Sequence, residues 1–521
     1  MSQLIHHLRE YHEHSKHYPG RYADALPFLD WDRQPSPFRH WGTNQVELPF
    51  CQGLPAPARG LYQPQAPQPL NLESLGGVLE LAFGLSAQKT HEGASWWLRM
   101  NPSSGNLHPT EVHLVVPQGL SAGLWHYQPL HHSLEVRGLL ADSQTLALAK
   151  AGLQQGVLVG LTSILLRESW KYGVRSFRYC QLDLGHALAC LAAAAGLYGW
   201  ECRLLELSSA AQSKLLGLEG PNWPSHENEE PEAVCYVGPR ADLQLKDLET
   251  FPRWNLQGNP SALSSENLPW QPVEEAAQLS WFLQGWQLPK AAFSVGVSDT
   301  PGPLAETLIR QRRSGQAFVP GLHLNQEQFF SLLEPLVTNH PLTQLITRQA
   351  QLVIFVHQVE GLRQGCYLLS TSQQDLSEMQ QALSSRFAFT PVKNNYNLWL
   401  VLLEPGDARA LAKQAACNQA IASQSSFSLA MLLPSGTWDT QPWTYRLGYW
   451  EAGCLGQILY WEAERLGLRG TGIGCYHDDQ IHEYLELSGN QWQDLYHFTL
   501  GLPLVDDRLQ STAPYGPNRN R

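Results

Sequence analysis

Apolar positions along the chain follow helical spacing and then strand spacing, and this order occurs twice. Residues 70–85 have the three- and four-residue apolar spacing of a helix, and residues 112–116 form a short apolar run typical of a buried strand. Residues 322–337 and 352–356 repeat the two patterns in the second half of the chain. The repetition predicts two units of the same design.

The segments that follow these patterns also match. GLWHYQP in the first half and GLRQGCYLLS in the second both predict a hairpin strand. Each half then has a small-residue helix with two glycines eleven positions apart, Gly185 and Gly196 in one and Gly456 and Gly467 in the other. Such helices need a close packing partner. We therefore expect an internal duplication whose units pack as an intramolecular pseudo-dimer.

These patterns divide the 521 residues into five parts. The predicted parts are an N-terminal extension (1–60), a first domain (61–245), a linker (246–290), a second domain (291–510) and a C-terminal tail (511–521). A hydrophobic content of 43% with 16% charged residues predicts a well-packed globular protein. The net charge of −12 and the lack of a dense Lys/Arg cluster argue against nucleic-acid or membrane partners.

Cysteine usage and the N-terminal sequence predict a cytoplasmic location. The nine cysteines are scattered and never spaced as CxxC, which argues against a zinc site or a disulfide framework. No apolar signal core is present at the N-terminus, and no continuous apolar run reaches 18 residues.

Two polar segments are candidates for a ligand site. PSSGN (102–106) combines small residues, which let a backbone approach a ligand, with Ser and Asn donors. IRQRRSGQAF (309–318) places guanidinium groups and a hydroxyl within reach of one phosphate. Taken singly, the first is equally consistent with an ordinary tight turn and the second with a solvated basic turn.

A third segment is rich in glycine. LGLRGTGIGCY (466–476) frees the backbone to approach a planar ligand with exposed N–H groups. It lacks the spacing of a dinucleotide fingerprint or a P-loop, so alone it is weak support for a site.

Together the three segments resemble the FMN-dependent nitroreductase superfamily, whose members have an Arg-Arg-Ser start, a Pro-Ser-Ser-x-Asn loop before a strand and a late Gly-rich loop. PSSGNLHPTE and the GLWHYQP hairpin are similar to the SagB/ThcOx-type dehydrogenase branch, in a tandem form. The resemblance spans about residues 60–510. It implies an α+β fold in which each unit has a mostly antiparallel sheet flanked by helices.

The resemblance implies FMN bound at the interface between two units. Here the first unit has ARGLYQ (58–63) where RRS is expected, and the second has PLTQLITRQ (341–349) where PSSGN is expected. The chain thus holds parts for one composite site, and we expect one FMN per chain. Gln316 replaces a basic residue of the family pattern, so Arg310 or Arg508 is expected to supply that charge. The implied FMN ligands are Pro102, Ser103, Ser104, Asn106, Arg310, Arg312, Arg313, Ser314, Gln316, Gly472, Ile473, Gly474 and Arg508.

Lys171 and Tyr172 resemble the Lys-Tyr pair of azoline-oxidising members of the branch, where the pair is implicated in removing a carbon-bound proton as hydride passes to flavin N5. A partly desolvated Lys can act as a base, and Tyr can orient the proton. A solvated Lys beside a packed Tyr is the structural alternative.

The expected function is oxidation of an azoline-like or other small or peptide-derived substrate. An NAD(P)H-dependent nitro or quinone reductase is the alternative, and a catalytically decayed flavin-binding protein is a third possibility. The complementary halves of the motif set argue against decay, because random loss would seldom leave a matched set.

Overall fold

A computed structural model of the chain describes residues 7–119, 122–265, 268–289, 296–298, 302–487 and 489–516. Residues 291–295, where the second domain is predicted to begin, lie outside these ranges, as do parts of the predicted linker and tail. The helices are α1 Leu8–His14, α2 Leu72–Phe83, α3 Asp142–Lys150, α4 Leu165–Tyr172, α5 Ser176–Leu197, α6 Ser209–Leu215, α7 Leu245–Glu249, α8 Gln271–Leu279, α9 Ala305–Gln311, α10 Gln326–Val337, α11 Gln373–Ala382, α12 Arg409–Ala415, α13 Ala420–Gln424, α14 Thr444–Arg465 and α15 Gln480–Leu485.

The strands are β1 Gln45–Glu47, β2 Leu85–His91, β3 Ala94–Arg99, β4 Thr110–Val116, β5 Gly123–Gln128, β6 Ser133–Leu139, β7 Val157–Ser163, β8 Glu201–Leu204, β9 Glu230–Gly238, β10 Gln351–Val356, β11 Gly365–Ser370, β12 Thr390–Pro391, β13 Trp399–Pro405, β14 Phe427–Pro434, β15 Arg469–Ile473, β16 Trp492–Gly501 and β17 Gln510–Thr512.

Two seven-stranded antiparallel sheets repeat one topology. The first has the order β1-β6-β5-β4-β7-β9-β8 and the second β12-β13-β11-β10-β14-β16-β15, so each strand of one sheet has a counterpart in the other. The apolar patterns that predicted the repeat correspond to α2 and β4 in the first unit and to α10 and β10 in the second. The predicted fold class, two tandem α+β units with mostly antiparallel sheets, is confirmed.

The units meet where two long helices cross, and this contact confirms the predicted pseudo-dimer. Helices α5 and α14 have 22 residues each, and a glycine is the tenth residue of both. A Cβ atom on Gly453 would lie 2.2 Å from the carbonyl oxygen of Leu182 and 2.9 Å from the Cα of Gly185. The two backbones therefore touch at Gly185 and Gly453. Gly456, which the sequence pattern matched with Gly185, instead faces the side chains of His186 and Tyr496.

Helix α5 belongs to a stretch, Leu165–Leu197, that is long and apolar enough by length and composition to cross a membrane. Inside the protein, 94% of its most apolar window is buried. A buried core helix meets the same criterion, so the stretch is only weak support for a membrane span.

The first and last segments that the structure describes each contact the unit formed by the other half of the chain. Strand β17 pairs with β2 in a separate three-stranded sheet with β3. The Tyr515 hydroxyl accepts a hydrogen bond from Leu85 N (2.7 Å) and donates one to Pro129 O (2.8 Å). At the other end, Arg9 and Lys16 form ion pairs with Asp439 and Asp479 of the second unit. Part of the predicted tail is thus an ordered strand.

The helix crossing gives a stability prediction. Gly453→Ala should lower the melting temperature, because the added methyl group has to displace the backbone of α5, and overpacking of this kind costs about 1–3 kcal/mol. Gly196→Ala is the matched control, since a Cβ there meets nothing within 4 Å and alanine favours a helix. Differential scanning fluorimetry measures both. Equal melting temperatures for the two variants would show that the crossing is looser than described.

Candidate active site

The PSSGN loop lies between β3 and β4 and has a left-handed backbone at Gly105 (φ 59°) and Asn106 (φ 61°). Asn106 is fixed by its side-chain amide, which donates from Nδ2 to Trp97 O (2.9 Å) and accepts at Oδ1 from His108 Nε2 (3.0 Å). A Cβ on Gly105 would lie 2.5 Å from the hydroxyl of Tyr172. Glycine is therefore required for the loop to pack against that tyrosine.

A buried carboxyl group of α5 anchors the same loop. Ser104 donates to Asp183 from its backbone N–H (2.9 Å) and from its hydroxyl (2.9 Å). Asp183 is 2% exposed, and burial raises its pKa to about 7, against the opposing effect of hydrogen bonds from Ser103 and Ser104. Sequence inspection did not single out Asp183, because an acidic residue inside a small-residue helix has no pattern of its own.

The second unit contributes the RRS segment, which follows α9. Gly315 N donates to Gly470 O (2.8 Å) and holds the segment against β15. Tyr460 of α14 joins the two predicted motifs, because its hydroxyl contacts Ser314 Oγ (2.9 Å) and accepts from Gly472 N (3.0 Å). The packing of Tyr496 explains why Gly472 is a glycine, since a Cβ there would lie 1.7 Å from the Tyr496 hydroxyl.

Two adjoining cavities lie where these segments meet, one of about 730 Å³ and one of about 300 Å³. Pro102, Ser103 and Ser314 line both cavities, so the first unit's loop and the second unit's RRS segment face the same space. The other predicted ligands on the larger cavity are Asn106, Arg310, Arg312, Arg313 and Gln316. Those on the smaller one are Ser104, Gly472, Ile473 and Gly474.

The larger cavity carries an excess of positive charge. Lys89, Arg312, Arg313 and Arg469 line it, and Glu464 is paired with Arg469 (3.1 Å). Burial, followed by the charges of Arg312 and Arg469, lowers the pKa of Arg313 to about 10. Burial and the charges of Arg313 and Arg469 also lower the pKa of Lys89. Cations that repel one another in this way favour binding of an anion.

Lys89 and Arg469 also line the larger cavity, although neither was among the residues expected to supply an additional cation. Arg310 lines the cavity, but its guanidinium group forms ion pairs with Glu80 and Glu306. Arg508 lines neither cavity; its side chain is 79% exposed and pairs with Asp506 (2.8 Å). Lys89 lies on β2, more than two hundred residues from the RRS segment, so no local sequence pattern could associate the two.

Of the predicted catalytic pair, Tyr172 lines the smaller cavity, and Lys171 is next to Tyr172 without lining the cavity. The Lys171 ammonium is 5.3 Å from the centre of the Tyr172 ring and 5.4 Å from that of Trp31. Burial lowers the pKa of Lys171, and the nearby Glu168 partly opposes this shift. Glu168 is fully buried, and burial together with the charge of Asp183 raises its pKa well above the usual value. Asp183, which lines the smaller cavity, and its neighbour Glu168 are therefore two buried acidic groups with raised pKa values.

Comparison with known proteins gives the class of fold. No protein-family profile matches the chain. An inferred nitroreductase of Methanocaldococcus jannaschii is 30% identical over 127 residues, which are 23% of this chain and 59% of that protein. The chain thus matches less than two thirds of that relative's length.

Among solved structures, an inferred nitroreductase from Anabaena variabilis has a TM-score of 0.68 and 21% identity, with 95% of this chain and 99% of that chain covered. One from Ralstonia eutropha has a TM-score of 0.28 and 16% identity, with 42% and 89% covered. The chain has the nitroreductase fold, in the same long form as the Anabaena protein. The match over 127 residues to the Methanocaldococcus protein is in keeping with this fold.

The buried Asp183 gives a pH prediction. A raised carboxyl pKa stabilises the folded protein fully below the unfolded value of 3.8, and this contribution is lost as pH rises through about 7. Asp183→Asn cannot ionise. Its melting temperature relative to the native protein should therefore rise between about pH 4.5 and about pH 8, by the equivalent of at most about 4 kcal/mol.

Asp142→Asn, at an exposed position of α3, is the control and should show the same difference at both pH values. A pH-independent difference for Asp183→Asn would contradict the assignment.

Proposed function

We propose that the protein is an FMN-dependent oxidoreductase with one FMN bound between its two units. The observation that carries the proposal is the meeting of Ser103 of the first unit with Arg312, Arg313 and Ser314 of the second at adjoining cavities. The larger volume, about 730 Å³, falls in the range of cofactor sites.

The residues at these cavities fit the chemistry of FMN. Its phosphate requires cations and hydroxyl donors, which Arg312, Arg313 and Ser314 offer together with Lys89 and Arg469. Its ring and ribityl group require polar contacts and space, for which Ser103, Ser104, Asn106 and Gly474 are the candidates.

We infer a single FMN because the corresponding arginine segments of the two units have different partners. In the first unit, Arg59 occupies the place in the sequence that corresponds to RRS. It is fully buried and lies 3.6 Å from Glu334 and 3.3 Å from Glu462. Those carboxylates neutralise it, whereas Arg312 donates to the carbonyl oxygens of Met100 (3.2 Å) and Arg99 (3.3 Å) and keeps its charge for an anion.

The favoured reaction is oxidation of an azoline-like or other small or peptide-derived substrate. Bound FMN supplies a hydride acceptor at N5. Lys171 acts as the base that takes a carbon-bound proton, because its lowered pKa leaves more of the neutral amine near neutral pH. Tyr172, held against Gly105 at the smaller cavity, orients that proton. Asp183 holds the Ser104 backbone in place.

The alternative reaction is reduction of nitro groups or quinones by NAD(P)H. The name of the Methanocaldococcus relative, which is that of a nitroreductase, favours this alternative. The two reactions differ in the direction in which electrons enter the protein, and they can be separated by experiment.

The cationic cavity predicts which residues determine FMN affinity. Arg313→Ala and Lys89→Met should each raise the dissociation constant about tenfold, since each removes a charged contact to phosphate worth about 1.4 kcal/mol. Quenching of FMN fluorescence on titration of apoprotein measures this. Arg253→Ala, an 82% exposed arginine, is the control.

The Arg508→Ala variant tests which residues supply the additional positive charge for the FMN phosphate. It should leave FMN affinity unchanged if Lys89 and Arg469 supply the charge, and lower it if Arg508 does. A protein that retains no FMN, and whose Arg313→Ala variant is indistinguishable from the native chain, would contradict the proposed function as a whole.

The proposed base gives a catalytic prediction. Lys171→Ala should retain FMN but lose oxidation of thiazoline or oxazoline test compounds by about a hundredfold or more, the usual size of general-base effects. Lys150→Ala, on the exposed face of α3, should behave as the native protein. Anaerobic stopped-flow mixing with NADPH tests the alternative. Rapid flavin bleaching in both native protein and Lys171→Ala would favour the reductase and count against the dehydrogenase.

A further inference from the structure

Two cysteines lie side by side at the edge of the smaller cavity. Cys475 follows the Gly-rich strand β15 and lines the cavity, and Cys417 is in the turn between α12 and α13. The two thiol groups are hydrogen-bonded to each other. Both side chains are half-buried, and both thiols are free.

The surrounding backbone holds the two thiols together. His477 N donates to Ala415 O (2.8 Å), and the Gln419 side-chain amide donates to Cys475 O (2.9 Å). Cys417 and the following Asn418 both have a left-handed backbone, with φ values of 50° and 62°. Two successive non-glycine residues in this conformation are unfavourable, and they persist only where neighbouring contacts enforce them.

The polar groups around Cys475 favour its thiolate. His17 Nδ1 accepts from Ala23 N (2.9 Å), which leaves the Nε2 proton for the hydrogen bond between His17 and Cys475. Arg175 donates to Gly474 O (3.2 Å) and brings a positive charge close by. The hydrogen bond from Cys417 outweighs burial and, with His17 and Arg175, lowers the pKa of Cys475.

The two thiols differ in character as a result. The same hydrogen bond raises the pKa of Cys417, and the Tyr22 hydroxyl and the Asp478 carboxylate also face this pair. Cys475 is therefore suited to attack a disulfide, and Cys417 to attack afterwards, once Cys475 no longer holds its proton.

We propose that Cys475 and Cys417 are a redox-active dithiol, which a small-molecule disulfide of the glutathione type converts to an intramolecular disulfide beside the candidate flavin cavity. The Cys475 thiolate attacks one sulfur of the glutathione disulfide, forms a mixed disulfide and releases one glutathione thiolate. Cys417 then gives its proton to solvent and attacks Cys475 Sγ, and the second glutathione thiolate leaves. The protein loses two electrons, the glutathione disulfide gains them, and two protons end on two glutathione thiols.

This pair is distinct from a structural disulfide framework, which the scattered cysteines argue against. The proposal does not depend on the proposed function, because thiol exchange with glutathione requires no FMN. Failure of one therefore leaves the other intact, and the two can be told apart by measuring thiol state and FMN content on the same sample.

Differential alkylation with mass spectrometry tests the proposal on the full-length protein. After equilibration in glutathione buffers and acid quenching, we expect a peptide cross-linked between Cys417 and Cys475 as the main oxidised species. In the reduced protein at neutral pH, iodoacetamide should label Cys475 at least about tenfold faster than Cys51. Cys51 is the internal control, because it is also half-buried while burial raises its pKa.

Single substitutions give a second, independent readout. Cys417→Ser should accumulate Cys475 as a stable glutathione adduct, since the attacking partner is missing. Cys475→Ser should leave Cys417 reduced. Absence of the cross-linked peptide in the native protein, or labelling of Cys475 no faster than Cys51, would overturn the proposal even if a variant failed to fold.

Discussion

Direct backbone contact between α5 and α14 determines how closely the two units approach each other. Gly185 and Gly453 allow α5 and α14 to cross without intervening side chains. Asp183, which anchors the PSSGN loop, precedes Gly185 by two residues on α5, and Tyr460, which holds Ser314 and Gly472, lies further along α14. The separation of the helix axes therefore sets the separation of the two half-sites. A bulkier crossing would move one half-site away from the other without changing any residue that touches a ligand.

The charges of the candidate site are divided between its two ends. Several cations line the larger cavity, whereas Asp183 lines the smaller one and, like its neighbour Glu168, is a buried acid with a raised pKa. The chain as a whole has a net charge of −12, so the cation cluster is a local feature rather than a consequence of composition. An elongated ligand with an anionic end and a neutral polar end matches this division, and the separation orients such a ligand in one direction only.

Local patterns were sufficient to predict the repeated helices and strands and to single out the PSSGN, RRS and Gly-rich segments. Apolar spacing and loop chemistry are short-range properties that a sequence displays directly. The order of matched segments also predicted the duplication and the pseudo-dimer. Long-range contributions were not predictable: Lys89 reaches the cavity through the β2–β3 hairpin, and Asp183 is recognisable only from its hydrogen bonds to Ser104. The sequence pattern matched Gly185 with Gly456, but the residue that contacts Gly185 is Gly453, about one helical turn earlier. A count of eleven residues cannot identify which face of α14 meets α5. The pairing of Cys417 with Cys475 was equally hidden, because the two lie on separate segments.

The exchange of terminal segments between the units has a consequence for how the chain is made. While the ribosome is still synthesising the second unit, Arg9 and Lys16 lack their partners Asp439 and Asp479, and the outer edge of β2 stays open. An open strand edge is a site for mispairing. This edge is covered only after β17 has been made, so completion of the three-stranded sheet depends on a segment that follows the second unit in the sequence.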